Sequence, residues 1–350
     1  MNRTGVLYAL ASAALFGAST PAAKLLLGTL DPFVLAGLLY CGAGIGVAGL
    51  RRLAPAVAPQ IPVRVALTRT DVPWLAAAIF AGGVAGPLLL MWGLARTDAS
   101  TASLLLALEG AATALIAWFI FYESFDRRIL IGFACLVSGA IILSWSGTPT
   151  LTTVEGPLAI VGACVVWGLD NNLTRKVSLS DPLQIVQLKG LTAGPFNLAL
   201  GLWTATSLSP NPAWLLAGVI GFFGYGVSLV LYVVALRYLG AARTGAYFAT
   251  APFVGAVISV VALGDHITVG LLLAGALMGI GVWLHLSEHH EHAHVHEQMT
   301  HTHPHVHDEH HQHAHRPDDP AGEPHVHPHQ HKPLVHGHPH TPDMHHIHRH

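Results

Sequence analysis

Long apolar stretches broken by short polar turns recur along the chain from residue 5 to residue 286. A helix needs about 20 mostly apolar residues to cross the hydrocarbon core of a bilayer. On that criterion the pattern predicts ten transmembrane helices, at 5–27, 33–50, 73–94, 100–121, 129–146, 157–174, 183–203, 213–236, 243–263 and 268–286. Asp31-Pro32 and Asp181-Pro182 stop and restart helices, and Arg51-Arg52, Arg127-Arg128 and Arg175-Lys176 close spans with charge. Arg3 precedes an apolar run with small residues near Ala18, as in a signal peptide. The run continues past that point and further spans follow, so an uncleaved first helix is expected.

After Leu286 the pattern changes. Residues 289–350 hold 24 of the 26 histidines and eight prolines, mostly as His-X-His alternation. The first cluster is His289, His290, His292, His294, His296, His301, His303, His305, His307, His310, His311, His313 and His315. The second is His325, His327, His329, His331, His336, His338, His340, His345, His346, His348 and His350. With almost nothing apolar to bury, this tail is expected to be disordered. Three segments follow: 1–147, 148–287 and the tail 288–350.

Composition sharpens the class. Of 350 residues, 52% are hydrophobic and only 10% are charged, where soluble domains carry about a quarter. A water-soluble enzyme is excluded, and the fold class is an all-α polytopic membrane protein. The net charge of −2 divides into −6 on the tail and +4 on the body, and nothing in it suggests a nucleic-acid partner. Cys41, Cys135 and Cys164 lie in apolar runs and are expected to be inert buried thiols.

Basic residues in short loops set orientation. With the N-terminus inside, Arg3, Arg51, Arg52, Arg64, Arg69, Arg127, Arg128, Arg175, Lys176, Arg237 and Arg243 are internal and only Arg96 is external. Both termini, and the tail, are therefore expected in the cytoplasm, and the protein in the cytoplasmic membrane.

Residues 93–123 align without a gap to 235–265, matching Glu123 to Asp265, and further on Gly139 matches Gly281. Upstream, Phe16-Gly17 matches Trp167-Gly168, Lys24 matches Arg175, and Asp31-Pro32 matches Asp181-Pro182. The chain thus reads as two five-span halves. Because five is odd, the second is inverted, an architecture of secondary transporters with a substrate site at midplane.

These features, with ALFGASTPAAKLLL in the first helix and a carboxylate closing the fourth and ninth spans, resemble the EamA type of the drug/metabolite transporter superfamily over residues 5–286. The resemblance implies a secondary carrier with a central cavity, commonly an exporter of small solutes. The sequence departs from it in the fourth span, where Glu109-Gly110 stands in place of a frequent proline; the ninth span keeps Pro252. The tail resembles that of members linked to nickel and cobalt resistance.

Glu109 sits nine residues into its span, roughly 14 Å deep and near the bilayer centre. A carboxylate there is a cation ligand or a protonatable exchange group, or else a structural partner of Lys24, Arg96 or Lys189. Asp170, Asn171 and Asn172 offer oxygen ligands in the sixth span; they fan around the helix, so at most two face one cavity. Their bland reading is a hydrated helix end. In the other half, Glu109 matches Ala251 and Asp170 matches Ser19, so acidity is added to a scaffold that does not require it. Lys24 and Lys189 lie near span ends, where snorkelling to a headgroup layer is expected. Imidazole binds Ni²⁺, Co²⁺, Zn²⁺ and Cu²⁺, so the tail is a metal-binding segment, while no cofactor is required.

The chain has no phosphate-loop motif, so a gradient must drive transport. The expected function is export of a divalent transition metal, nickel or cobalt, captured by the tail and passed to Asp170 and its Asn neighbours, then to Glu109, with Lys24 on the path. The rival is export of a small metabolite or drug, the tail only buffering or sensing metal. The partners are the lipid bilayer and the transported ion or solute. Homodimerisation stays open.

Overall fold

In the computed structural model the described residues are 3–57, 67–121, 127–144, 151–175, 177, 181–205, 212–286, 290–296, 299–305, 325–331 and 334–340. The body is helical: α1 (Arg3–Leu26), α2 (Pro32–Val57), α3 (Val72–Ala78), α4 (Gly86–Leu94), α5 (Ala99–Leu105), α6 (Leu108–Phe121) and α7 (Arg127–Ser144) come first. Then follow α8 (Leu151–Arg175), α9 (Pro182–Thr204), α10 (Ala213–Gly221), α11 (Ser228–Phe248), α12 (Ala251–Ile258) and α13 (Val269–Leu286). Among the described residues, five stretches are long and apolar enough to cross a membrane: Arg3–Leu26, Pro32–Arg52, Val72–Leu94, Ala99–Ile120 and Ala213–Tyr232. Leu130–Ser144, Ala251–Leu263 and Val269–Leu284 are shorter apolar helices. Helices α8 and α9 are as long, at 25 and 23 residues, but more polar, since they carry Asp170, Asn171 and Asn172 and Gln184, Gln187 and Lys189.

The Asp-Pro pairs act as the sequence suggests. Asp31 Oδ1 accepts from the backbone N–H groups of Phe33 and Val34 at the start of α2, and Asp181 Oδ1 accepts from that of Leu183 at the start of α9. Each satisfies donors that the first helical turn leaves open, and proline supplies a helical φ at the first position. Arg51 lies 3.4 Å from Asp181, tying the end of α2 to the start of α9.

Helix α11 runs from Ser228 to Phe248, across the break placed between the eighth and ninth spans. Yet the Tyr232 and Phe248 rings are only 4.9 Å apart. Residues that far apart along a straight helix would be separated by about 24 Å. The chain therefore reverses within this element, and its two arms lie side by side.

Each major helix packs on one distant in sequence: α1 on α11 and α12, α8 on α4 and α6, α2 on α9, and α7 on α13. The α2–α9 crossing is close because small residues face each other. A methyl on Gly190 would fall 2.5 Å from Gly44 Cα, and one on Gly194 would fall 2.8 Å from Cys41 Sγ. Such small-residue faces let backbones approach where lipid provides no hydrophobic drive for association. One main cluster joins Leu35 and Leu39 with Leu90, Met91, Leu105, Leu136, Ile160 and Met278. Outward-facing Leu7, Phe119, Leu215, Val261 and Trp283 are exposed, as suits a lipid-facing surface.

Among the described residues, three helical regions widen into π-helix: Ile79–Ala85 between α3 and α4, Phe222–Val227 between α10 and α11, and Ser259–Leu263 after α12. The first two occupy the same place under the offset that aligns the two halves. The third ends at Gly264, whose φ of +75° few other residues adopt without strain.

The tail departs from expectation. Strand β1 (His290–His296) pairs antiparallel with β4 (Leu334–His340), and β2 (Met299–His305) with β3 (His325–His331). His-X-His alternation has the period of a strand, and pairing the two histidine clusters satisfies the backbone without a buried core. Residues 306–324 and 341–350 lie outside the described residues, as does Glu123.

Candidate functional site

The apolar stretch Ala99–Ile120 breaks where α5 meets α6. The amide of Ala107 donates to Leu104 O at 2.9 Å and that of Glu109 to Leu106 O at 3.1 Å, a tightened turn that interrupts the regular helical ladder. The second half breaks at the matching place, where Thr250 donates its hydroxyl to Tyr247 O just before α12, whose second residue is Pro252. The first half makes this kink without a proline.

Glu109 stands directly after the break. Its Oε1 accepts from Asn171 Nδ2 at 3.0 Å, and that amide also reaches Thr113 Oγ1 at 3.1 Å. Thr113 Oγ1 in turn donates to Glu109 O at 2.8 Å. Glu109 is half-buried while Asn171 and Gly110 are exposed, and nothing lies within 4 Å of where a Gly110 side chain would begin. A carboxylate with one amide donor keeps most of its lone pairs free for another ligand.

Asp170, one residue before Asn171, faces the other way. Lys189 Nζ lies 2.7 Å from Oδ1 and 2.6 Å from Oδ2, and Thr174 Oγ1 donates to Oδ1 at 2.9 Å. Both charged groups are buried. Lys189 was expected to reach a headgroup layer; it instead crosses from α9 to neutralise α8, because two charges removed from water require each other. Asn172 is buried and donates to Thr113 O at 3.0 Å and Gly168 O at 2.8 Å, lacing α8 to α6. Lys24 donates to the carbonyls of Leu94 at 2.7 Å and Thr97 at 2.8 Å, capping the end of α4. Of the residues expected on the path, the structure brings together Glu109 and Asn171; Asp170, Asn172 and Lys24 are each engaged elsewhere.

Two residues not singled out in the sequence join this region. Tyr40 OH and Trp167 Nε1 both donate to Gly82 O, at 2.7 and 3.0 Å, and Asn197 Nδ2 donates to Gly83 O at 2.8 Å. Tyr40 and Asn197 therefore pin the first π-helical segment, a distortion that often marks functional places in helices. The clustered Gly82, Gly83 and Gly86 were the available signal, since a Cβ on Gly82 would collide with Asp170 and one on Gly86 with Trp167.

Aromatic rings form a continuous wall. Tyr40 meets Tyr225 at 5.5 Å, and Tyr225 meets Phe16 at 5.8 Å. Phe16 also meets Trp167 at 6.5 Å and Phe248 at 5.4 Å, and Phe248 meets Tyr232. Among the described residues no three His, Cys, Asp or Glu side chains converge as a metal site.

A helical membrane protein with a polar group beside a break in its spans has the form of a solute transporter. The chain belongs to the EamA-like transporter family, whose model matches it twice, over residues 3–145 and 154–287. It is 26% identical over 284 residues to an uncharacterized transporter of Methanothermobacter thermautotrophicus, covering 77% of this chain and 82% of the relative. It is 29% identical over 252 residues to a probable terminal-alkyne amino-acid exporter of Streptantibioticus cattleyicolor, covering 69% and 84%. A solved crystal structure of a protein aligns with a TM-score of 0.58 at 19% identity, over 80% of this chain and 94% of that one, a likeness of fold. The family is one of membrane transporters rather than enzymes, so a bilayer and a transported solute are its partners.

Proposed function

We propose that this chain is a secondary carrier of the cytoplasmic membrane that exports a small organic solute, built from two inverted halves with both termini inside. One observation carries the reading. Of two carboxylates deep in the helices, Asp170 is neutralised by Lys189, whereas Glu109 is held by an amide alone and keeps coordination to offer. Glu109 binds cargo in one state and a proton in the other, and the break at Leu106-Ala107 lets its helix move between them. The test is efflux by the full-length chain in proteoliposomes under an imposed proton gradient, with a panel of amino acids, amines and divalent metals. An organic solute should move, and Glu109→Gln should abolish its movement.

A second reading takes the cargo as Ni²⁺ or Co²⁺, and the tail favours it. The strand register sets His290 opposite His340, His292 opposite His338 and His294 opposite His336. It also sets His301 opposite His329, His303 opposite His327 and His305 opposite His325. The 24 histidines of residues 289–350 supply imidazole ligands suited to nickel, cobalt, zinc or copper. Metal binding to the full chain should weaken as pH falls below about 6, when imidazoles protonate and no longer ligate. Truncation after Leu286 distinguishes the readings. If metal is cargo, resistance falls most at low external metal, where local capture counts. Organic-solute export by the truncated chain should match the full chain.

A further inference from the structure

We propose that Asp265 is a latch: it holds the start of α5 against the second half of the chain, and its release uncovers that helix as the carrier changes state. This rests on the reading of the chain as a carrier of two halves. Failure of that reading would show in the efflux assay and not in the labelling described below.

The first turn of α5 is capped from a distance. Asp98 stands at its N-cap position with extended backbone, φ −61° and ψ 145°, yet its side chain makes no capping bond. The amide of Ser100 donates instead to Asp265 Oδ2 at 2.8 Å, across 165 positions of sequence. First-turn amides find no acceptor in their own helix, and a carboxylate there also answers the positive end of the helix dipole. The backbone is shaped to deliver that carboxylate. The third π-helical segment ends at Gly264, whose φ of +75° turns the chain, and the amide of Asp265 donates back to Ser259 O at 3.4 Å.

Little else bonds α5 to the second half. Among the described residues, the other hydrogen bond it receives from there is a weak one, from Cys164 Sγ to Leu105 O at 3.5 Å. Ser103 Oγ is buried and has no partner among the described residues. What remains is close packing: a Cβ on Gly255 of α12 would fall 2.7 Å from Ser103 Oγ and 2.8 Å from Gly17 O of α1. Small-residue faces bring helices together without directional bonds, so α5 is free to slide once Asp265 lets go.

The flanks of α5 suit such a movement. Lys24 donates to Leu94 O and Thr97 O just before it, at 2.7 and 2.8 Å, so the connection from α4 is a fixed pivot. Beyond it the helical ladder is interrupted at Ala107, and Gly110 is exposed. The seven residues between are buried except Thr101, which is half-buried. A short segment between a pivot and a break, held by one carboxylate, moves as a unit.

The experiment uses full-length protein in phosphatidylcholine nanodiscs, which leave both faces open to a charged maleimide. Ser103→Cys is labelled, and the rate at that position is read by peptide mass spectrometry, so the native cysteines stay in place. Asp265→Ala should raise the rate roughly fivefold, the factor that loss of a helix cap corresponds to. Asp265→Asn should leave it unchanged, because its side-chain oxygen still accepts from the amide. Gly264→Ala should raise it about threefold, since a Cβ strains the turn that delivers Asp265. That variant carries the test if Asp265→Ala fails to insert. Ser12→Cys, buried where α1 meets α11, is the control and should label no faster in any variant. Unchanged labelling at position 103 in both Asp265→Ala and Gly264→Ala overturns the proposal. An equal rise at positions 103 and 12 overturns it too, because that marks general loosening. So does a rate in Asp265→Asn as high as in Asp265→Ala, since the amide bond would then hold nothing.

Discussion

Helices α8 and α1 occupy matching places in the molecule and carry opposite chemistry. Each crosses a π-helical segment and a broken span: α8 meets Ile79–Ala85 and α6, while α1 meets Phe222–Val227 and α12. The contacts correspond in detail. Gly82 presses on Asp170, and Gly224 presses on Ser19, its counterpart in the alignment of the halves. Gly168 presses on Ala112 and Thr113, and Gly17 on Ala251 and Val254. At the α8 crossing lie a buried ion pair, the Glu109–Asn171 bond and donors to the Gly82 and Gly83 carbonyls. At the α1 crossing, Ser19 donates to Phe16 O within its own helix, and Ser12 reaches Ser228 O at 2.7 Å. Close glycine packing is common to both, so it belongs to the framework. Among the described residues the buried ion pair lies at one crossing only, so it belongs to what the framework carries.

The sharpest way to break this comparison is to unbalance the ion pair. Lys189→Met would leave Asp170 buried and unpaired, which costs about 3–5 kcal/mol. The variant should lose most of its folded population in detergent thermal unfolding, while Ser19→Ala at the matching place should change little. Adding Asp170→Asn to Lys189→Met should restore stability, because the framework does not need the charge. If the single and double variants are equally unstable, Lys189 serves packing rather than pairing.

The next effect is on transport rather than folding. Glu109→Gln keeps size and hydrogen bonding and removes the charge, so solute movement per inserted molecule should fall at least tenfold, about 1.4 kcal/mol. Supplying the acid at the matching place, Ala251→Glu in the Glu109→Gln background, should fail to restore it. Asn171, Thr113 and their bonds exist on one side alone. Rescue by Ala251→Glu would show that the two crossings are interchangeable.

These differences were unequally visible in the sequence. The Asp31-Pro32 and Asp181-Pro182 caps were legible because a cap is made within three residues of its own helix. Glu109 lies near the middle of the apolar stretch Ala99–Ile120, a place already plain from the hydrophobic pattern. The partner of Asp170 was not. Lys189 lies in another helix, and the rotation of α8 decides whether Asp170 or Asn171 faces Glu109; three consecutive polar residues cannot reveal that. The π-helical segments left only clustered glycines as a trace, which equally suit ordinary close packing. In the tail, the period-two histidine pattern was plain in the sequence, whereas which segments pair is a long-range choice that no local pattern states.

The smallest effect concerns the pinned carbonyl of Gly82, which has no counterpart at Phe222–Val227 among the described residues. Two donors share it, Tyr40 OH and Trp167 Nε1. Tyr40→Phe removes one while Trp167 still satisfies the oxygen, so the loss should be about 1 kcal/mol or less. Trp167→Phe alone should cost more, since it also removes indole volume at the Gly86 contact. Together they orphan a buried carbonyl, and the double variant should lose more than the two single losses combined, by about 1 kcal/mol in a double-mutant cycle of thermal stability. Strict additivity would mean that the carbonyl finds another donor or water when both side chains are gone. In that case the first π-helical segment would be no more tightly held than the second, and the asymmetry between the crossings would reduce to charge alone.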